Sequence, residues 1–159
     1  MAINDADLAF LRRCVDLART ALDHGDEPFG SILVDESGRI LFADHNHVKD
    51  GDATRHPEFA IARWAVENLS PAQRAAATVY TSGEHCPMCA AAHAWVGLGR
   101  IVFAASSDQL SHWCGMWGSP PPPVAALPIT VVAPAVVADG PAAELTEEMR
   151  ALYEAAFRP

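Results

Sequence analysis

A three-layer α/β/α fold around a mixed sheet of about five strands is the architecture this sequence predicts. Three observations point there. Apolar residues recur at helical spacing in well-separated stretches, short β-rich runs stand between them, and only the first two of those runs are joined by a bare turn. A hairpin followed by strand–helix–strand connections gives antiparallel pairing at one side of a sheet and parallel, right-handed pairing at the other.

The elements follow in order. From Asp5 to His24, Leu8, Leu11, Val15, Ala18 and Leu22 recur at intervals of three and four, a helix that stops near Gly25. "FGSILVDESGRILFADHN" reads as a hairpin with strands at 29–35 and 39–45 around "DESG". "HPEFAIARWAVENL" is a helix starting at His56 or Pro57, because proline suits the first helical position, where no N–H is needed. "ATVYTS" is a buried strand, "CPMCAAAHAWVGLG" a second helix opened by proline and closed by glycines, and "RIVFAAS" a further strand. Beyond these, "SDQLSHWCGMWG" has no assigned structure and "SPPPPVAAL" is a loop that cannot be helical. "PITVVA" is expected as a last strand, and "AAELTEEMRALYEAAF" as a closing helix with its acids near the start.

The 159 residues suit one domain. Twenty acids against 11 bases give a net charge of -9, with no run of Lys or Arg longer than Arg12-Arg13. That balance argues against an extended phosphate-binding face, so nucleic acid is not the expected partner and small molecules are. The mixed charges of "MAINDADLAFLRR" do not form a signal sequence, and prolines interrupt the longest apolar stretch, so no membrane span and a cytoplasmic location are expected. In a reducing compartment the four cysteines, Cys14, Cys86, Cys89 and Cys114, favour metal binding or catalysis over disulfides.

Both interior helices begin with a metal-competent residue and a proline: His56-Pro57-Glu58 and Cys86-Pro87-Met88-Cys89. Helix N-termini carry unpaired N–H groups and partial positive charge, which favours thiolates there. One His and two Cys are what a catalytic zinc takes, leaving one tetrahedral position for water. Glu58, two residues past the His, is placed to handle that water's proton. Two other readings stay open for the cysteine pair: a redox C-x-x-C, and a structural zinc closed by a fourth ligand such as His85 or Cys114. His24, His45, His47, His93 and His112 have no ligand spacing and read as surface or core residues, with His47 and His112 near enough in sequence to line a pocket. Trp64 and Trp95 fall on helical patterns and read as core, and Cys14 as a buried apolar residue.

On these motifs the chain resembles the cytidine-deaminase-fold superfamily, whose hallmark is H-x-E followed by P-C-x-x-C. Within it the chain is most similar to small nucleobase deaminases of the guanine-deaminase type, through "EPFGSILVDESGRIL", "HNHVKDGDATRHPE", "SGEHCPMC" and "RIVFAAS". The resemblance implies a Zn2+ cofactor, a homodimer and hydrolytic deamination of a free nucleobase or analogue, guanine-like or cytosine/5-azacytosine/s-triazine-like. In that reaction zinc lowers the pKa of its water, hydroxide attacks the amino-bearing ring carbon, and Glu58 carries the proton to the ring and then to departing ammonia. It further implies that Asn46 contacts the base, that Pro28-Phe29-Gly30 shapes the pocket floor, and that Asp108 helps hold a purine. Trp113 or Trp117 is available to stack on the base, and Tyr153 and Phe157 belong to a C-terminal segment that closes over the site. Two residues depart from the family pattern: Pro57 replaces the usual Ala, and His85 replaces the usual Pro at the loop wall facing the substrate. His85 is therefore the residue most expected to alter substrate choice. A tRNA-editing deaminase shares the zinc motifs, but the acidic charge disfavours a polyanionic partner.

Overall fold

In the computed structural model, which describes residues 2–159, helix α1 (Asp5–Asp23) opens the chain. Asn4 caps it reciprocally: Asn4 Oδ1 accepts the Asp7 N–H at 2.9 Å, and Asp7 Oδ2 accepts the Asn4 N–H at 3.1 Å. Leu11, Cys14, Val15 and Ala18 form its buried stripe. Strands β1 (Gly30–Val34) and β2 (Ile40–His45) pair antiparallel as the hairpin. A Cβ on Gly30 would lie 2.4 Å from Leu17 Cβ and 2.5 Å from Cys14 O, so α1 presses onto β1 at a point where only glycine fits.

After a 3-10 turn at Val48–Asp50 come α2 (Pro57–Asn68), α3 (Pro71–Ala76), β3 (Thr78–Gly83), α4 (Pro87–Trp95) and β4 (Ile101–Ala105). Then follow α5 (Ser107–Trp117), α6 (Ile129–Val132), β5 (Ala138–Asp139), a 3-10 turn and α7 (Thr146–Phe157). The sheet order is β2-β1-β3-β4-β5, with β1–β3 antiparallel and β3–β4 and β4–β5 parallel.

The period-two alternation of the strands divides the core into two. Ile32, Val34, Tyr80, Val102 and Ala104 face α1, α5 and α7. Leu33 and Val79 face Ile61, Ala62 and Ala65 of α2, while Ile101 and Phe103 face Ala90 of α4 and Ile129 of α6. The result is the expected three-layer arrangement with a mixed five-stranded sheet.

A buried ion pair joins the first helix to the parallel half of the sheet. Arg100 Nη1 donates to Asp7 Oδ1 at 2.9 Å, Arg100 Nε donates to Asp139 Oδ2 at 2.7 Å, and the Tyr80 hydroxyl donates to Asp7 Oδ1 at 2.8 Å. Burial alone would raise the Asp7 pKa, but these donors and the Asn4 N–H outweigh it and hold the carboxyl below its ordinary value.

Several details differ from the sequence expectation, among them the short helix α3, which was not assigned. The Trp-rich segment is helix α5, capped by Ser106, whose Oγ accepts the Gln109 N–H at 3.1 Å. "PITVVA" is not a strand: Pro128 caps the single turn α6, and Ile129 is drawn into the core with its N–H on Glu84 Oε1 at 2.8 Å. The last strand is instead Ala138–Asp139, cut short where Pro141 has no N–H to offer a ladder. Trp95 is 89% exposed rather than core, because it lies at the outer end of α4 past that helix's inner face. No helix among the described residues is long and apolar enough to cross a membrane.

Candidate active site

The starts of α2 and α4 meet at the end of the sheet where β3 and β4 finish, the usual place for a site in an α/β fold. His56 and Cys86 are the N-cap residues, each extended (ψ 141° and 166°) and each followed by proline. Neither side chain caps its own helix, which leaves imidazole and thiol to converge with Cys89 from the first turn of α4. His56 Nδ1 lies 3.5 Å from both Cys86 Sγ and Cys89 Sγ. Tetrahedral ligands at Zn–S ≈ 2.3 Å and Zn–N ≈ 2.0–2.1 Å would be separated by about 3.6 Å, so the three donors fit zinc. Among the described residues this group contains these three ligands and no fourth.

The electrostatics suit a cation. Cys86 is drawn down to about 4 by hydrogen bonds from Cys89 and His56, burial opposing. Cys89 is held upward by its contact with Cys86 and by burial, and His56 is raised to about 8, chiefly by its bond to Cys86. Two sulfurs and an imidazole sharing protons in this way are ligands that a metal can deprotonate outright.

Glu58 occupies the first turn of α2 and is 6% exposed. Its Oε1 lies 3.1 Å from the hydroxyls of both Ser31 and Thr81, which are paired neighbours on β1 and β3. Burial raises the Glu58 pKa against the attraction of His56, so the carboxyl is less acidic than in water.

Asn46 is 1% exposed, with Oδ1 accepting the N–H groups of Val48 (3.1 Å) and Glu27 (3.3 Å) while Nδ2 is buried without a protein partner. An unpaired buried amide donor suits a ligand's acceptor. Glu27 donates its backbone N–H to Asn46, and its carboxyl is raised chiefly by burial, with the charge of His56 opposing. Phe29 is half-buried, its ring 5.5 Å from Tyr153 and 6.2 Å from Phe157, so α7 of the same chain reaches it. Tyr153 also backs the loop before α4: a Cβ on Gly83 would lie 2.6 Å from its Oη.

The other expected contacts lie elsewhere. His85 is 1% exposed, and its ring stands edge-on to His93 at 5.4 Å, inside the protein next to α4, with burial keeping it neutral. Trp113 is 8% exposed in the core, 6.1 Å from Tyr153, and Asp108 is exposed in the first turn of α5. The geometry therefore groups His56, Cys86, Cys89 and Glu58, leaves the Asn46 amide donor buried without a protein partner, and does not bring His85, Asp108 or Trp113 into that group.

Ser31, Thr81, Glu27 and Glu84 were not singled out in the sequence. Ser31 and Thr81 left a signal: a polar residue inside a buried strand requires a partner. Glu84 accepts the Ser107 N–H on Oε2 and the Ile129 N–H on Oε1, both at 2.8 Å, so it anchors the loop preceding Cys86.

The pattern of the cytidine and deoxycytidylate deaminase zinc-binding region matches residues 4–105. This chain belongs to that family. It is a zinc-dependent deaminase, a hydrolase acting on C–N bonds, and His56, Cys86 and Cys89 are its candidate zinc site. The deaminase is 34% identical to a probable cytosine deaminase of Schizosaccharomyces pombe over 120 residues, covering 76% of this chain and 73% of that protein. It is 34% identical to a guanine deaminase of Bacillus subtilis over 104 residues, 65% of this chain and 67% of that one. tRNA-specific adenosine deaminases also match. A solved guanine deaminase from Nitrosomonas europaea superposes with a TM-score of 0.68 at 23% identity, covering 97% of this chain and 84% of that one, which shows the shared fold.

Proposed function

We propose that this deaminase hydrolyses the exocyclic amino group of a free nucleobase or base analogue, turning ring C–NH2 and water into ring C=O and ammonia. The observation that carries the reading is Glu58, a buried carboxyl of raised pKa beside three candidate zinc ligands, and the buried Asn46 amide donor without a protein partner supports it. Zinc, when held by His56, Cys86 and Cys89, supplies Lewis acidity toward water. Glu58 relays the two protons of that water in turn, the first to a ring nitrogen as the oxygen adds and the second to the departing amine as the C=O forms. Ser31 and Thr81 orient its Oε1 and leave Oε2 for the proton. Asn46 Nδ2 donates to an acceptor on the ring edge, and Phe29, fixed by Tyr153 and Phe157, closes the floor.

The substrate class is supported by the cytosine and guanine deaminases among the relatives. An amino-bearing carbon bonded to a ring nitrogen is electron-poor, and more so between two, so guanine-, cytosine- and s-triazine-like rings share the required electrophile. The net charge of -9 weighs against tRNA, because no clustered cations are present to hold phosphates. We further infer a homodimer through the outer face of α2 and α4, where Trp95 and Val66 are 89% and 50% exposed beside Phe59, Ala92 and Val96.

The test is ammonia release over guanine, adenine, cytosine, isocytosine, 5-azacytosine, ammeline and 8-oxoguanine, alongside cytidine and a tRNA transcript. Turnover of at least one free base, abolished by Glu58→Ala, is expected. Turnover of the tRNA alone overturns the reading.

A further inference from the structure

We infer that Asp26, His45 and His47 form a second metal site, separate from the zinc centre, for a late first-row divalent ion. One potential ligand atom from each residue lies within 4.8 Å of those of the other two. Two imidazoles and one carboxylate are a donor set suited to zinc, nickel or iron, with positions left for water.

The surroundings are those of ligands already oriented. His45 Nδ1 lies 2.7 Å from Asn46 O, which fixes its proton there and leaves Nε2 with its lone pair free. His47 Nε2 lies 2.8 Å from Asp44 Oδ1, so a carboxylate orients the second imidazole and leaves its Nδ1 available. Asp26 is 6% exposed, and its Oδ1 accepts the Lys49 N–H at 3.0 Å. The His45 and His47 rings stand 4.4 Å apart on one side of the backbone, and the His24 ring stands edge-on to His45 at 5.5 Å. Lys49 Nζ is engaged by the His24 carbonyl at 3.0 Å. The His47 side chain is 36% exposed, which gives an ion a way in from solvent.

Nickel separates the two sites, because metal analysis counts it independently of the zinc held by thiolates. Tag-free, zinc-loaded protein is dialysed to equilibrium against Ni2+, and both metals are counted per chain. The wild type is expected to keep one zinc and take up one nickel. His45→Ala/His47→Ala should keep its zinc, which reports an intact fold, and lose the nickel. Asp44→Ala, which leaves all three ligands in place, should bind nickel about 10- to 100-fold more weakly. No stoichiometric nickel on the wild type, or equal nickel on the double variant, overturns the assignment.

Discussion

The Ser31 hydroxyl lies 3.1 Å from Glu58 Oε1 although 27 residues separate the two in the chain. Strand β1 and helix α2 belong to different layers, and this contact fixes the angle at which the carboxyl leaves its helix. Thr81 makes the matching contact from β3 at 3.1 Å. Ser31→Ala removes one of two anchors, so kcat should fall about tenfold, the lower end of a hydrogen bond to a charged group. KM and zinc content should change little. An unchanged kcat would remove the positioning role assigned to Ser31.

Glu58→Gln keeps the size and the contacts of the side chain and removes its capacity to take a proton. Ammonia release should drop at least about 10²- to 10⁴-fold. Metal analysis should still find one zinc per chain, since Glu58 is not among the ligands. Activity near wild type would contradict the proton-transfer role.

Zinc ties the first turns of α2 and α4, so its removal should loosen both. At free zinc about 1,000-fold above Kd, binding contributes about 4 kcal/mol, which corresponds to about 10 °C in Tm for a chain of this size. Calorimetry with and without a chelator measures this shift. In Cys89→Ala, which lacks a fully buried ligand, the same chelator should shift Tm far less.

The Asp7–Arg100 pair gives a pH signature of stability. Asp7 has a folded pKa below its ordinary 3.8, so its contribution is complete above about pH 4 and is lost as pH falls through the lower folded value. Asp7→Asn should cost about 1.5 to 3 kcal/mol at neutral pH, the worth of hydrogen bonds to a charged group, because Arg100 keeps Asp139. The difference in Tm between wild type and variant should shrink as pH drops below about 4. A constant difference across that window would show that the pair does not titrate as described.

Trp95 is nine-tenths exposed at the end of α4, an unusual position for an indole on a solvent face. Trp95→Glu should convert the inferred dimer to monomer in sedimentation velocity. A wild-type monomer would remove the interface from consideration.

The parts of the site that were legible in the sequence are those made by neighbours along one helix turn. Cys86 and Cys89 face the same way because they are three residues apart, and Pro57 and Pro87 mark both helix starts. Helix α5 was not assigned despite Ser106 and Gln109, because the tryptophans and Gly115 obscured the periodicity of an eleven-residue element. His85 invited a reading as pocket wall from its place in the motif. Its ring direction depends on His93 and the packing of α4, which no local spacing encodes.

By itself the sequence determined most of the elements up to β4, the candidate zinc ligands and the neighbouring carboxyl, because periodicity, capping and ligand spacing act over three or four residues. Only the tertiary structure decided which hydroxyls hold Glu58, where Asp7 finds Arg100, and that Asp26 meets His45 and His47. Those contacts join residues about 20 to 93 positions apart. They exist because two helical layers fold over one sheet and bring side chains distant in the chain into contact.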